Sequence, residues 1–279
     1  MRVRAPGRVN LIGDHTDYQD GLCLPMAIDR EVVVDWAPST ASVSSFRSAE
    51  PESGLVAAAP AVLAERGIVP RIVDAAVTST IPVGGGLSSS AAFTVACLLA
   101  LTDELSGREL ALAAQAVEQR ATGVPCGVMD QMASVCGRPD HALLLDCRTL
   151  AVTPVPLPPG CAVIVVHSGL PRRLATSAYA KRRAACERAA ARLGVAALRD
   201  ASLSDVADDP MPRHVVSENA RVLAAADALR AGDVAMFGRL MDESHASLRD
   251  DFAVSTPELD EVVEHCRAEG AYGARLTGA

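Results

Sequence analysis

The stretch Pro82-Val83-Gly84-Gly85-Gly86-Leu87-Ser88-Ser89-Ser90-Ala91-Ala92 constrains this chain more than any other, because it joins an apolar strand to a helix through a glycine-rich turn. Upstream, residues 72–81 alternate apolar and small polar side chains as a half-buried strand does, and downstream residues 91–105 are apolar, alanine-rich and free of Gly and Pro. Three glycines let the backbone approach a ligand closely, and the serines are suited to cap the helix or to ligate a metal. The first amides of a helix have no partner within it and the dipole there favours negative charge, so a nucleotide phosphate is the natural guest. An ordinary strand-to-helix loop is the alternative these residues leave open.

Two familiar phosphate motifs are excluded. No Lys-Ser or Lys-Thr follows the glycines, as a Walker A loop requires, and the third Gly of a dinucleotide fingerprint is replaced by Ser89. The sequence holds one lysine, Lys181, far from this turn. Phosphate chemistry here must rest on backbone amides, arginine, metal and helix dipole. A formal net charge of −8 argues against nucleic acid or an anionic membrane as partner. Eight cysteines are scattered without a CxxC or His-Cys cluster, which reads as reduced thiols in a cytoplasmic protein. Arg2 and Arg4 are followed by no apolar run, and no uncharged segment is long enough to span a bilayer, so secretion and membrane insertion are not expected.

In chain order, the first dense polar cluster is Asp14, His15 and Asp17, after the short apolar strand that Arg8 precedes. Such a density of hydrogen-bonding groups suits a polyhydroxylated ligand, while a solvated turn with Asp as a cap is the simpler reading of any one residue. Residues 32–34 predict a strand, residues 38–60 are weakly patterned, and residues 61–66 predict a short helix. Residues 108–122 predict a helix in which Glu118 reads as a solvated charge. Asp130 follows a turn fixed by Gly123, Pro125 and Gly127, and is either an N-cap or a partly desolvated acid suited to proton transfer. Residues 142–146 predict a strand, and residues 153–160, with four prolines, a domain linker. Behind it come a buried strand at 161–166, a basic helix at 172–193, helices at 212–231, 233–249 and 256–269, and a strand at 272–276.

Several of these stretches, in this order, resemble the galactokinase family, within the superfamily that includes homoserine, mevalonate and phosphomevalonate kinases. Gly7-Arg8-Val9-Asn10-Leu11-Ile12-Gly13-Asp14-His15-Thr16-Asp17-Tyr18 is similar to the family's signature, and Pro82 to Ala92 to the superfamily's phosphate-binding motif. Cys126 to Gln131, Ser177-Ala178-Tyr179 with Arg182-Arg183, and Glu243-Ser244-His245 through Arg249-Asp250-Asp251 are similar to further family stretches. The resemblance implies an α+β fold of two domains, residues 1–158 and 159–279, with the active site between them. It implies ATP-dependent phosphorylation of galactose at its anomeric hydroxyl, with Mg²⁺ as cofactor and the sugar and ATP as small-molecule partners. Asp14, His15, Thr16, Asp17 and Tyr179 would contact the sugar. Gly84, Gly85, Gly86, Leu87, Ser88, Ser89 and Ser90 would wrap the ATP phosphates, Ser90 and Glu118 would hold Mg²⁺, Asp130 would be the base and Arg8 its electrostatic partner.

Two departures from the family pattern stand out. Asp14 occupies a position usually held by Glu, one methylene longer, which bears on which sugar fits. After Leu276-Thr277-Gly278 the further glycine-rich motif and strands of the family are absent, from which follow the expectations of an incomplete C-terminal domain, little or no galactose phosphorylation in isolation and a tendency to aggregate through an open strand edge. A kinase for arabinose or N-acetylgalactosamine and a non-catalytic sugar sensor are the competing functions. The intact Ser88-Ser89-Ser90-Ala91-Ala92 run, with Arg8 and Asp130 both present, favours the enzyme.

Overall fold

The computed structural model describes residues 1–48, 53–82, 84–169 and 175–278. Val83, residues 170–174 and the side chains of Ser177 and Ala178, which the sequence motifs include, lie outside the described residues. In chain order the strands are β1 (Arg2–Asn10), β2 (Leu22–Cys23), β3 (Pro25–Pro38), β4 (Ser45–Ser48), β5 (Val73–Ser79), β6 (His141–Asp146) and β7 (Ala151–Pro156). The helices are α1 (Ser53–Ala64), α2 (Ser89–Leu101), α3 (Gly107–Thr122), α4 (Met129–Cys136), α5 (Ala175–Leu193), α6 (Pro210–Ala231), α7 (Val234–Asp250) and α8 (Pro257–Ala268). The chain packs as two compact units, residues 1–8 with 27–137 and residues 9–26 with 138–279.

The first unit carries a four-stranded sheet in the order β1-β3-β5-β4. β3 runs antiparallel to β5, and β4 parallel to it. Along β5, Val73, Ala75 and Val77 are buried while Asp74, Ala76 and Thr78 are exposed, the alternation expected of a sheet with one covered face. α2 packs against β5, α1, α3 and α4. Its residues are buried almost all the way round, as its uninterrupted apolar sequence requires.

α1 is longer than the expected helix at 61–66 and starts earlier, with Pro60 inside it. Leu55, Ala58, Ala59, Val62 and Leu63 are buried at helical spacing, whereas Pro60 is exposed. An interior proline costs about 3 kcal/mol, and burial of that five-residue stripe against α2 and α3 outweighs it.

The second unit carries an antiparallel sheet in the order β2-β6-β7. α6 packs against β2, β7 and α7. Cys186, Leu198, Val215, Leu248, Phe252 and Leu276 form a buried cluster. Three sequence expectations fail here. The segment expected as a linker begins as β7, with Pro154 opposite Leu143 and Pro156 opposite His141. β7 is an edge strand, where a missing proline N–H breaks no ladder bond. Residues 161–166 are exposed and form no strand, Ile164 being 81% accessible. Their β-branched side chains have strand propensity, but without a neighbouring strand propensity closes no ladder. Residues 272–276 also form no strand, so the open edge argued for that segment does not form. Leu276 is instead buried in the cluster just named.

Candidate active site

In the first unit, β1 brings Arg8 under the glycine turn. A Cβ on Gly7 would stand 2.8 Å from the Leu87 carbonyl oxygen, so only glycine lets β1 approach this closely. Next to it the Arg8 amide donates to that same oxygen at 3.1 Å, and Arg8 Nη1 donates to the Gly86 carbonyl at 2.6 Å. The remaining nitrogens of the guanidinium grip Asp130: Nε donates to Oδ1 at 2.8 Å and Nη2 to Oδ2 at 2.9 Å, a two-point fork. Asp130 lies in the first turn of α4 and is not its N-cap, a position held by Val128. Ser134, one turn on, donates to the Pro6 carbonyl and ties α4 to β1. The Arg8 side chain is 6% exposed and that of Asp130 31%, so the carboxylate is open to a ligand and its cation is not.

Ser88 takes the N-cap position of α2 in the left-handed conformation (φ 59°), uncommon for a residue with a Cβ. Its hydroxyl caps no helix amide and donates to Asp130 Oδ2 instead. The first amides of α2 therefore receive no capping side chain from Ser88, which leaves that end suited to an anion. Ser90 Oγ donates to Glu118 Oε1 at 2.6 Å, and Gln131 Nε2 to Glu118 Oε2 at 2.7 Å. The Gln131 Oε1 atom is buried with no hydrogen-bond partner. Hydroxyl, carboxylate and an unused amide oxygen form a donor set that fits a hard cation such as Mg²⁺. Among the described residues no three His, Cys, Asp or Glu side chains gather as a metal site, so such an ion would complete its shell with phosphate oxygens or water.

In the second unit, Asp14, His15 and Thr16 are buried, which rules out a solvated turn. Gly13 adopts φ 98°, and a Cβ there would stand 2.7 Å from the Leu22 carbonyl oxygen. His15 follows with φ 65°. The Thr16 hydroxyl is shared between the carbonyls of Gly13 (2.9 Å) and Leu22 (2.8 Å) and so closes the turn on itself. The His15 ring stacks on Phe252 at 4.4 Å between centroids and lies 6.1 Å from the Tyr179 ring, its Nδ1 shares a hydrogen bond with the Tyr18 hydroxyl, and its Nε2 is buried without a partner. Half-buried Asp17 opens a short 3-10 turn beyond Thr16. The structure thus brings Asp14, His15, Thr16 and Tyr179 together, with the hydrogen-bonding groups and aromatic faces a sugar uses.

A second layer holds this loop. Glu218 Oε1 accepts the Gly13 amide at 3.0 Å, and His214 Nε2 donates to the Asp14 carbonyl at 3.1 Å. Burial pushes the Glu218 carboxyl up, but the positive charges around it, Arg221 and Arg275 among them, hold it down at about 2. Neither residue was singled out from the sequence. The available signal was two polar residues four apart on α6 among the core positions Val215, Val222 and Ala225.

Burial also pushes the imidazoles of His15, His214 and His245 down, keeping them neutral in the folded protein. Below about pH 6.5 the unfolded chain binds protons that the folded chain refuses, so stability present above that pH is lost as pH falls, at up to about 1.4 kcal/mol per pH unit for each histidine. Asp146, held at about 2 by the Arg199 guanidinium, contributes only at lower pH. Calorimetry should show Tm falling between pH 6.5 and 5, with a shallower fall in His15→Asn. A flat profile would contradict the buried neutral imidazoles.

Residues 1–38 match the galactokinase galactose-binding signature, 54–138 the GHMP kinases N terminal domain and 225–279 the GHMP kinases C terminal domain. Galactokinases of Roseiflexus sp. (strain RS-1) and Chloroflexus aggregans are 45% and 44% identical to this chain, each over 99% of it and 80% of the relative. The crystal structure of Lactococcus lactis galactokinase complexed with galactose superposes with a TM-score of 0.88 at 30% identity, covering 100% of this chain and 82% of that one. Methanococcus jannaschii mevalonate kinase, at 18% identity and a TM-score of 0.69 over 100% of this chain and 87% of its own, shares the fold. This chain belongs to the galactokinase family of GHMP kinases, with the α+β fold that family membership implies.

Proposed function

We propose that this chain transfers the γ-phosphoryl group of ATP to the anomeric hydroxyl of galactose, giving galactose 1-phosphate and ADP. The observation that carries the chemistry is the Arg8–Asp130 fork beneath the glycine turn: an accessible carboxylate, anchored by a buried cation, beside a helix start suited to phosphate. The relatives named galactokinase and the Lactococcus lactis protein complexed with galactose support the choice of sugar.

Asp130 accepts the proton of the anomeric hydroxyl as its oxygen attacks the γ-phosphorus, and the bond to the bridging oxygen breaks with its electron pair leaving on ADP. Arg8 holds Asp130 in line and sets a positive charge beside the developing negative charge. Gly84, Gly85, Gly86, Leu87, Ser88, Ser89 and Ser90 wrap the ATP phosphates through the turn and the first amides of α2. Asp14, His15, Asp17 and Tyr179 hold the sugar hydroxyls, and Thr16 keeps their loop closed. Mg²⁺, when bound, neutralises phosphate charge, and Ser90 and Glu118 are the residues that would hold it.

A sensor that binds without transferring has no need of the Arg8–Asp130 fork or the Ser90–Glu118 contact, and both are made. The eight cysteines stand as reduced thiols, in keeping with the cytoplasmic location we infer. Among the described residues no helix is long and apolar enough to cross a membrane.

Two experiments test this reading. Against galactose, arabinose and N-acetylgalactosamine at fixed ATP, kcat/KM should be highest for galactose, and a preference for another sugar would reassign the substrate. Glu118→Gln should raise the Mg²⁺ concentration for half-maximal turnover by about 10- to 100-fold, with turnover recovering at saturating metal. An unchanged Mg²⁺ requirement would remove Glu118 from the metal site.

A further inference from the structure

The mechanism leaves one buried cation of the second unit unused. Arg275 lies after α8 in a segment without regular secondary structure, and its side chain, 2% exposed, pairs with that of Asp14, 5% exposed. Its Nε and Nη1 atoms are buried with no hydrogen-bond partner. Neighbouring residues grip the same loop: Thr277 Oγ1 donates to the Asn10 carbonyl at 3.1 Å and accepts the Asn10 amide at 3.3 Å. The Gly278 amide donates to Asp14 Oδ1 at 3.2 Å. Asp14 Oδ2 accepts from Arg275 Nη2 and, at 2.9 Å, from Asn10 Nδ2.

An ionised carboxylate has about four acceptor positions. Three on Asp14 are filled by the protein, two at Oδ2 and one at Oδ1. The carboxylate therefore has one direction, at Oδ1, left for a hydroxyl. A plain buried ion pair gains most when the arginine uses its whole fork, yet here only one nitrogen reaches Asp14 and two are idle. That is a poor arrangement for stability alone and a good one for fixing where a short side chain points.

We propose that Arg275 is a specificity-determining positioning residue, which aims the free acceptor position of Asp14 at a single sugar hydroxyl and so decides which hydroxyl the protein requires. The inference rests on the reading of Asp14 as a galactose contact. It predicts a hydroxyl-specific effect, which an ion pair that merely stabilises the fold does not produce.

The test compares galactose with its 2-, 3-, 4- and 6-deoxy analogues on the parent protein, Arg275→Met and Arg275→Lys, reading kcat/KM by ADP release and Kd by calorimetry. In the parent, loss of the hydroxyl that Asp14 holds should lower kcat/KM by about 10- to 100-fold, the range of a charge-assisted hydrogen bond. In Arg275→Met that one penalty should shrink toward unity while the other three persist, with KM for galactose rising more than kcat falls. Arg275→Lys keeps a cation beside Asp14 without the planar fork, and should recover part of the penalty. It also carries the comparison if Arg275→Met does not fold. A uniform loss over all five sugars, with the four penalties preserved, would overturn the proposal. If the parent binds galactose with the predicted pattern of Kd but transfers no phosphate, the kinase reading fails and this inference stands. Transfer with a pattern that the Arg275 variants leave unchanged is the reverse case.

Discussion

Replacing Asp130 with Asn lowers galactose turnover by about 10²- to 10⁴-fold, the share that general-base catalysis usually contributes. The substitution keeps the shape and removes the proton acceptor. It also turns one of the two oxygens facing Arg8 and Ser88 into a donor, so one of the present contacts is lost and the fork becomes a single bond. Galactose affinity should change much less, because Asp14, His15 and Tyr179 do not depend on Asp130. The check is kcat and KM from ADP release, with a thermal scan to show that the variant is folded. Turnover within a few-fold of the parent would take Asp130 out of proton transfer.

Arg8→Met is the second large effect, acting on stability and rate together. It removes the two bonds to Asp130 and the bond to the Gly86 carbonyl, leaving the carboxylate without its cation. Losing one partner of a buried pair costs about 3–5 kcal/mol, and the partial exposure of Asp130 puts this case at about the lower end. Turnover should fall by about 10²- to 10³-fold, as when one preorganised donor is removed from a transition state. Because Arg8 acts through Asp130, the double variant with Asp130→Asn should lose little more rate than the worse single one. Multiplying losses would show that the two residues act independently. Arg8→Lys, which keeps the charge but not the fork, should fold better than Arg8→Met while recovering only part of the rate.

The parts of this fold that were legible in the sequence are those where one local rule decides. The alternation along β5, the unbroken apolar run of α2 and the glycine turn between them needed no tertiary information. The break between α6 and α7 followed from Gly232, which takes the left-handed conformation that ends α6, while α6 starts two residues earlier than the expected Pro212, at Pro210. Where local and tertiary rules compete, the sequence misled. Pro60 signals a break, but five buried residues on the opposite side keep α1 whole. Pro154 and Pro156 signal a linker, yet both sit on an edge strand that tolerates them. Residues 161–166 have the composition of a strand but gain no ladder.

The site divides in the same way. Arg8, Asp14 and Asp130 stand in motifs whose resemblance to galactokinases implies the roles proposed for them, whereas Glu118 lies outside those motifs and reads from the residues alone as a solvated helix charge. The geometry adds what no motif states, that Ser88 gives up helix capping to bind Asp130 and that Gln131 leaves an oxygen unused beside Glu118. His214, Glu218 and Arg275 act on the Gly13–Asp14 backbone or the Asp14 carboxylate from far along the chain. Sequence spacing carries no information about such long-range contacts. Arg275 is the extreme case, a cation in a segment that reads as a strand, forms none, and buries its side chain against Asp14.

The central claim is that the Arg8–Asp130 centre directs phosphate onto the anomeric oxygen of galactose, and product identification tests it most directly. The protein, ATP, Mg²⁺ and galactose are incubated together, ADP is quantified and the sugar product is examined by phosphorus NMR with coupling to the anomeric proton. The account predicts one ADP per phosphorylated sugar, the phosphate on C1, no ADP release without galactose, and product formation by Asp130→Asn slower by the factor given above. ADP release that does not depend on galactose, or phosphate on a different hydroxyl, would contradict it.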